Sequence, residues 1–117
     1  LGYALQKIKL DQKSSLAYLV LSKKELEQFN FQKGDSEGFV NYCLSIKGVK
    51  NAVFLREDKS LIKISLRSKG EVKMNEFSQK YYGGGGHQNA AGAAVESNDI
   101  DTVTKTLIEN FRSFCSV

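Results

Sequence analysis

The sequence has no proline, no tryptophan, one histidine and two cysteines among its 117 residues. Without proline-rich or repeated stretches nothing divides the chain, and its length suits one domain with one core. Cys43 and Cys115 form no disulfide framework. Both lie among apolar residues of predicted helices, where a free thiol behaves as a small hydrophobe. The aspartates at 11, 35, 58, 99 and 101 are scattered over turns and caps, and no two ligands show metal spacing. No apolar run approaches the roughly 20 residues of a membrane span. No charged-then-apolar leader pattern opens the chain. No membrane partner is expected, and a reducing, cytoplasmic setting is. The chain begins at Leu1 rather than Met, which reads as a piece cut from something longer.

What is present is ordinary globular material, with 41% hydrophobic and 26% charged residues. A chain of this length buries roughly two-thirds of the surface it exposes when unfolded. The formal charge of +4 comes from 17 Lys+Arg against 13 Asp+Glu. That excess suits an anionic partner without requiring one.

Leu1, Leu5 and Ile8 at helical spacing read as the tail of a helix. Ser15–Leu21 (SLAYLVL) is a dense apolar run that reads as a buried strand. Ser22 with Glu25 three residues on predicts a capping box and a short helix ending near Phe29. Lys33-Gly34-Asp35-Ser36 reads as a turn into a helix over 37–47, with Phe39, Val40, Cys43, Leu44 and Ile46 as its stripe. Gly48 supplies its stop. Strands are predicted at 51–56 and 61–67, joined through Glu57-Asp58-Lys59-Ser60. In the second, Ile62, Ile64 and Leu66 share one face and Lys63, Ser65 and Arg67 the other. A helix over 74–82 precedes four glycines, and Gly92–Val95 reads as a last short strand. Ser97 or Asn98 is expected to cap a closing helix with a stripe of Ile100, Val103, Leu107, Phe111 and Phe114. Mixed strands and helices without strict alternation predict an α/β (α+β) fold: a mixed sheet flanked by helices.

Gly83-Gly84-Gly85-Gly86-His87 is the strongest local signal for chemistry. Glycine lets a ligand approach the backbone closely, and successive N–H groups can form an anion-binding nest. A helical turn beginning near His87 would strengthen that preference. His87 would add a side-chain donor. The bland alternative is a flexible connector with a solvated histidine. No Gly-Lys-Ser/Thr follows, so this is no Walker-type loop. Nor is it a dinucleotide fingerprint, since it follows a predicted helix.

Ser65-Leu66-Arg67-Ser68-Lys69-Gly70 closes the alternating strand. The Arg67 guanidinium, opposite the apolar triad, can fork onto phosphate oxygens, and Ser68 offers a hydroxyl beside it. A polar strand edge kept soluble by Lys and Arg is the competing reading.

With that element, the Gly-Gly-Gly-Gly-His run and Ala90-Ala91-Gly92, the sequence resembles the DHH-associated C-terminal domain of the DHH phosphoesterase superfamily. The likeness is to the branch of short-oligoribonucleotide and phosphoadenosine-phosphate phosphatases, with RecJ exonucleases more distant. It runs from about Ser15 to the end and includes Gly38-Phe39-Val40-Asn41-Tyr42. The resemblance implies that Arg67 and Ser68 contact a substrate phosphate. Gly84, Gly85 and Gly86 would supply close backbone, and His87 would bond a phosphate or the reacting end. Asn41 is a weaker candidate beside the reading of a solvated helix residue. The resemblance also implies that residues 1–10 lead out of an N-terminal DHH catalytic domain of the same chain, with 11–117 as the substrate-binding domain. In that arrangement this fragment carries no cofactor and no catalytic residue. Two divalent metals, manganese in the family, would sit in the other domain.

The partner expected first is a phosphorylated nucleotide or a short single-stranded nucleic acid. A nucleic-acid-binding appendage like that of alanyl-tRNA synthetase, and a homodimerisation module with a vestigial pocket, are the alternatives. Tyr82, next to the glycines, is the best placed aromatic for a base. Tyr81 reads as core.

Overall fold

Three runs of apolar residues and one alternating segment assemble into the centre of the molecule. The computed structural model describes residues 2–32 and 34–116, so Leu1 and Lys33 of the expected elements lie outside it. Strands β1 (Lys9–Asp11), β2 (Leu16–Leu21), β3 (Asn51–Asp58), β4 (Leu61–Ser68), β5 (Gly85–His87) and β6 (Ala90–Glu96) form one sheet. Their order is β1-β2-β3-β4-β6-β5. β2 and β3 pair in parallel and every other neighbouring pair is antiparallel. The sheet is mixed, as expected.

Helices α1 (Gly2–Leu5), α2 (Lys23–Gln28), α3 (Asp35–Ser45), α4 (Met74–Tyr82) and α5 (Ile100–Cys115) flank it. They divide between the two faces and make two apolar clusters rather than the single core expected from length. On one face Ile62, Ile64 and Leu66 of β4 meet Met74 and Phe77 of α4 and Leu107 and Phe111 of α5. On the other, Leu19 and Leu21 of β2 and Phe54 of β3 meet Phe39, Val40 and Cys43 of α3, with Ala4 of α1. β2 and β3 are covered on both faces, which explains their continuous apolar runs. β4 is covered fully on one face only, and its side chains alternate accordingly.

The expected capping box is present. The Ser22 hydroxyl accepts from Glu25 N–H at 3.1 Å, and the Glu25 carboxylate accepts from Ser22 N–H at 2.9 Å. Other boundaries shift for local reasons. The β3–β4 connection shrinks to Lys59-Ser60, with Lys59 in the left-handed region at φ 60°. Residues 9–11 form a strand that three residues of mixed polarity could not announce. The closing helix is capped by Asp99, not by Ser97 or Asn98. Its carboxylate accepts from Thr102 N–H at 3.1 Å and from the Thr102 hydroxyl at 2.7 Å. The last strand begins at Ala90 and runs to Glu96, longer than 92–95 at both ends.

Candidate functional site

The glycines do different jobs. Gly83 ends α4 in the left-handed conformation at φ 66°. A Cβ on Gly84 would lie 2.3 Å from the Gly92 carbonyl oxygen and 2.4 Å from the Ser78 hydroxyl. One on Gly86, at φ 142°, would lie 2.5 Å from Ala91 Cα. Bare backbone thus lets the run press against α4 and β6. Around Gly85 there is open space. No helical turn begins near His87. Instead 85–87 form the edge strand β5, joined to β6 by the two-residue turn Gln88-Asn89. The small side chains of Ala90, Ala91 and Gly92 make this close pairing possible.

Register brings the two expected elements together. Arg67 pairs with Ala90, and Ala90 with His87. Directly paired residues project to the same side of a sheet, so Arg67 and His87 share a face. They are separated by about 10 Å, two inter-strand spacings. The same face carries Lys63 and Ser65 on β4, Gly92 and Ala94 on β6, and Gly85 on β5. Here α3 packs over β2 and β3, while α4 and α5 pack behind the sheet. The result is an open shelf with a floor of alanine and glycine, an arginine along one side and an exposed histidine along the other.

The Arg67 side chain is folded onto this shelf. Its Nη1 donates to the Leu66 carbonyl at 2.9 Å and to the Ala91 carbonyl at 3.4 Å. Its Nη2 forms an ion pair with Glu37 in the first turn of α3. Two backbone acceptors thus hold the guanidinium at the β4–β6 seam with one edge turned toward α3. Asn41 is one helical turn beyond Glu37 and exposed, so it lies along the same rim of the shelf.

Ser68 is not brought to this face. It is buried behind the sheet, where its hydroxyl donates to the Val72 carbonyl at 2.8 Å and accepts from Asn89 at 2.8 Å. Strand parity separates it from Arg67, and Ser65 is the β4 serine on the shelf. Tyr82 is also behind the sheet. Its ring packs 5.8 Å from Phe77, its hydroxyl accepts from Asn110 at 3.3 Å, and burial pushes its phenol pKa up. Tyr81 packs 5.2 Å from Phe77 and is half-buried at the edge of that core rather than inside it. Sequence reading missed Glu37, because a link between residues 37 and 67 has no local signature. It also passed over Ser65, which the alternation of β4 already placed beside Arg67. Among the described residues no group of three or more His, Cys, Asp and Glu is arranged to hold a metal ion.

Comparison with known proteins adds to this geometry. The DHHA1 domain family matches residues 13–113. The bifunctional oligoribonuclease and PAP phosphatase NrnA of Thermus thermophilus is 37% identical over 78 residues, covering 67% of this chain and 24% of that protein. The crystal structure of an exopolyphosphatase-related protein from Bacteroides fragilis superposes with a TM-score of 0.87 at 40% identity, over 97% of this chain and 33% of that one. The C-Ala domain of Aquifex aeolicus alanyl-tRNA synthetase shares the fold, with a TM-score of 0.59 at 15% identity over 82% of this chain and 88% of that domain. The chain spans between 24% and 36% of the length of the curated relatives it matches.

Proposed function

The chain belongs to the DHHA1 domain family, and we propose that it grips the phosphate of a short oligonucleotide or small nucleotide for a DHH-type phosphoesterase. Arg67 supplies a guanidinium that two carbonyls have already oriented. His87 supplies a second donor across the shelf, and the backbone of Gly85 and Gly86 lies beside it without side chains. Asn41 borders the ligand from α3. Gly84 and Ser68 act indirectly, by seating β5 and by tying the end of β4 to the Gln88-Asn89 turn. The observation that carries this reading is the register Arg67–Ala90–His87.

In this reading hydrolysis belongs to an upstream catalytic domain holding two divalent metals, manganese by family analogy. That domain would close over the shelf, completing the site around the substrate. Residues 1–10 connect the two. Their outer part is already integrated here, since Ala4 is buried and Lys9 pairs with Tyr18.

A backbone-amide NMR titration with adenosine 5′-monophosphate tests the grip. Shifts are expected at 85–87 and around Arg67, and Arg67→Ala should weaken binding by about tenfold, the worth of one charge-assisted hydrogen-bonded contact. An unchanged spectrum at millimolar nucleotide would refute it.

A further inference from the structure

Behind the sheet, on the face opposite the shelf, the first half of α5 does not close against the edge formed by β1 and β2. A groove of about 790 Å³ remains between residues 6–9 and α5, the volume of a small-molecule site. Tyr18 and Val20 of β2 form its floor, and Ile100 and Ile108 of α5 its apolar wall. All four are only partly buried, at the margin of the cluster behind the sheet. The Thr104 hydroxyl on the same wall is already satisfied within the helix, donating to the Ile100 carbonyl at 2.7 Å. An apolar strip is therefore left open to solvent along β2.

The charges on the rim are unequally engaged. Lys7 is ion-paired with Glu25, and Arg112, one turn beyond Ile108, with Asp11. Lys9 pairs with Tyr18 across the strands, so it projects to the face of the floor. Lys105 stands on α5, across the groove. Both lysines are exposed, and among the described residues neither ammonium has a hydrogen-bond or ion-pair partner. Asp101 lies one turn nearer the start of α5. The groove thus has free cations on both sides and a carboxylate toward its Ile100 end.

We infer that this groove is a second ligand site, taking a medium-chain carboxylate. The anionic head lies between Lys9 and Lys105, and the acyl chain runs over Tyr18 and Val20 toward Ile100. Asp101 sets that orientation by repelling the head from its own end. From Ile108 to Ile100 the helix rises about 12 Å, which suits an unbranched chain of about ten carbons. A free phosphate or a nucleotide would leave the apolar strip uncovered, so the site differs in chemistry from the shelf and stands apart from the phosphate grip. Bound there, the ligand joins segment 6–9 to α5.

Amide NMR titration of the wild-type chain with decanoate tests the site, with hexanoate and decyltrimethylammonium for comparison. Decanoate should shift amides at 6–9, 18–22 and 100–108 and leave 85–87 unmoved. Hexanoate should bind more than about tenfold more weakly, since each methylene fully covered is worth about fourfold. Decyltrimethylammonium, with the same tail and the opposite head, should bind about tenfold more weakly than decanoate. The double variant Lys9→Glu, Lys105→Glu changes two exposed side chains and should reverse that preference, an outcome that misfolding does not produce. Equal binding of the two ten-carbon ligands, or decanoate binding unaltered in the double variant, overturns the inference. Shifts of the same amides on raising the protein concentration without ligand would give the groove to a second copy of the chain and overturn it too.

Discussion

The guanidinium of Arg67 is ion-paired with Glu37, so the arginine along the side of the shelf is already engaged by a carboxylate of its own chain. The link joins the end of β4 to the first turn of α3, which apolar packing on β2 and β3 seats at the rim of the open face. An anion arriving at Arg67 must share or displace that carboxylate.

Glu37→Gln should therefore tighten binding of adenosine 5′-monophosphate, by about threefold to tenfold, because an exposed ion pair of this kind is worth about 0.2–1 kcal/mol and its negative charge also repels the ligand. Stability in urea should fall by no more than about 1 kcal/mol. Weaker binding would mean that Glu37 assists the ligand rather than competing with it.

The glycines should separate by role. A Gly84→Ala methyl would meet the Gly92 carbonyl and the Ser78 hydroxyl, so a loss of about 1–3 kcal/mol is expected, as for other overpacked sites. Gly85→Ala has open space around it and should stay within about 0.5 kcal/mol of wild type. Urea unfolding of the two variants decides the matter. Equal losses would show that backbone freedom, not close packing, is what the run provides.

Ser68→Ala should cost about 1 kcal/mol of stability through loss of its bonds to Val72 and Asn89. Nucleotide affinity should change less than twofold. A large loss of affinity in a variant with unchanged stability would return Ser68 to direct contact.

Asp11 predicts how stability depends on pH. The Arg112 guanidinium donates to its carboxylate, with Nε at 3.1 Å, and holds its pKa down to about 2 against burial, with the Ser14 hydroxyl at 2.6 Å adding to the effect. The folded-state pKa lies below the unfolded one, so the stabilisation is present above about pH 4 and is lost as pH falls toward 2. Thermal unfolding across that window should show a fall in Tm that Asp11→Asn flattens. The variant should also be less stable at pH 7 by about 1 kcal/mol. A wild-type Tm that does not fall between pH 4 and 2 would remove Asp11 from the account.

Phe77 is fully buried and touches the rings of Tyr81, Tyr82, Phe111 and Phe114 at centroid distances of 5.2–5.8 Å. Phe77→Ala should cost about 3–5 kcal/mol, a large share of the roughly 5–15 kcal/mol that holds a small domain folded. A fall in Tm of more than about 10 °C is the expected readout, and a shift of only a few degrees would contradict this packing.

Periodicity and end signals made much of the fold legible in advance. The alternation of Ile62, Ile64 and Leu66 against Lys63, Ser65 and Arg67 set the faces of β4. Ser22 with Glu25 set the start of α2, and Met74–Tyr82 is a helix with the bounds its stripe implies. These signals are local, carried by residues within a turn or a strand of one another. The short edge strands β1 and β5 were not legible, because three residues hold no periodicity and their pairing is made by partners elsewhere in the chain. The glycine–histidine run pointed to close backbone, but its form as an edge strand depends on β6 being small enough to receive it.

By itself the sequence determined the family of this domain, the apolar faces of its main elements and the residue types available for an anion. Tertiary structure alone decided which of those residues meet. Strand register put His87 on the face of Arg67, 20 residues away in the chain, and the packing of α3 and α4 on opposite faces of the sheet carried Glu37 to Arg67 and sent Tyr82 behind it. Parity within one strand is a local property of the backbone, whereas register between strands and the seat of a helix are set by how all the apolar surfaces are buried together.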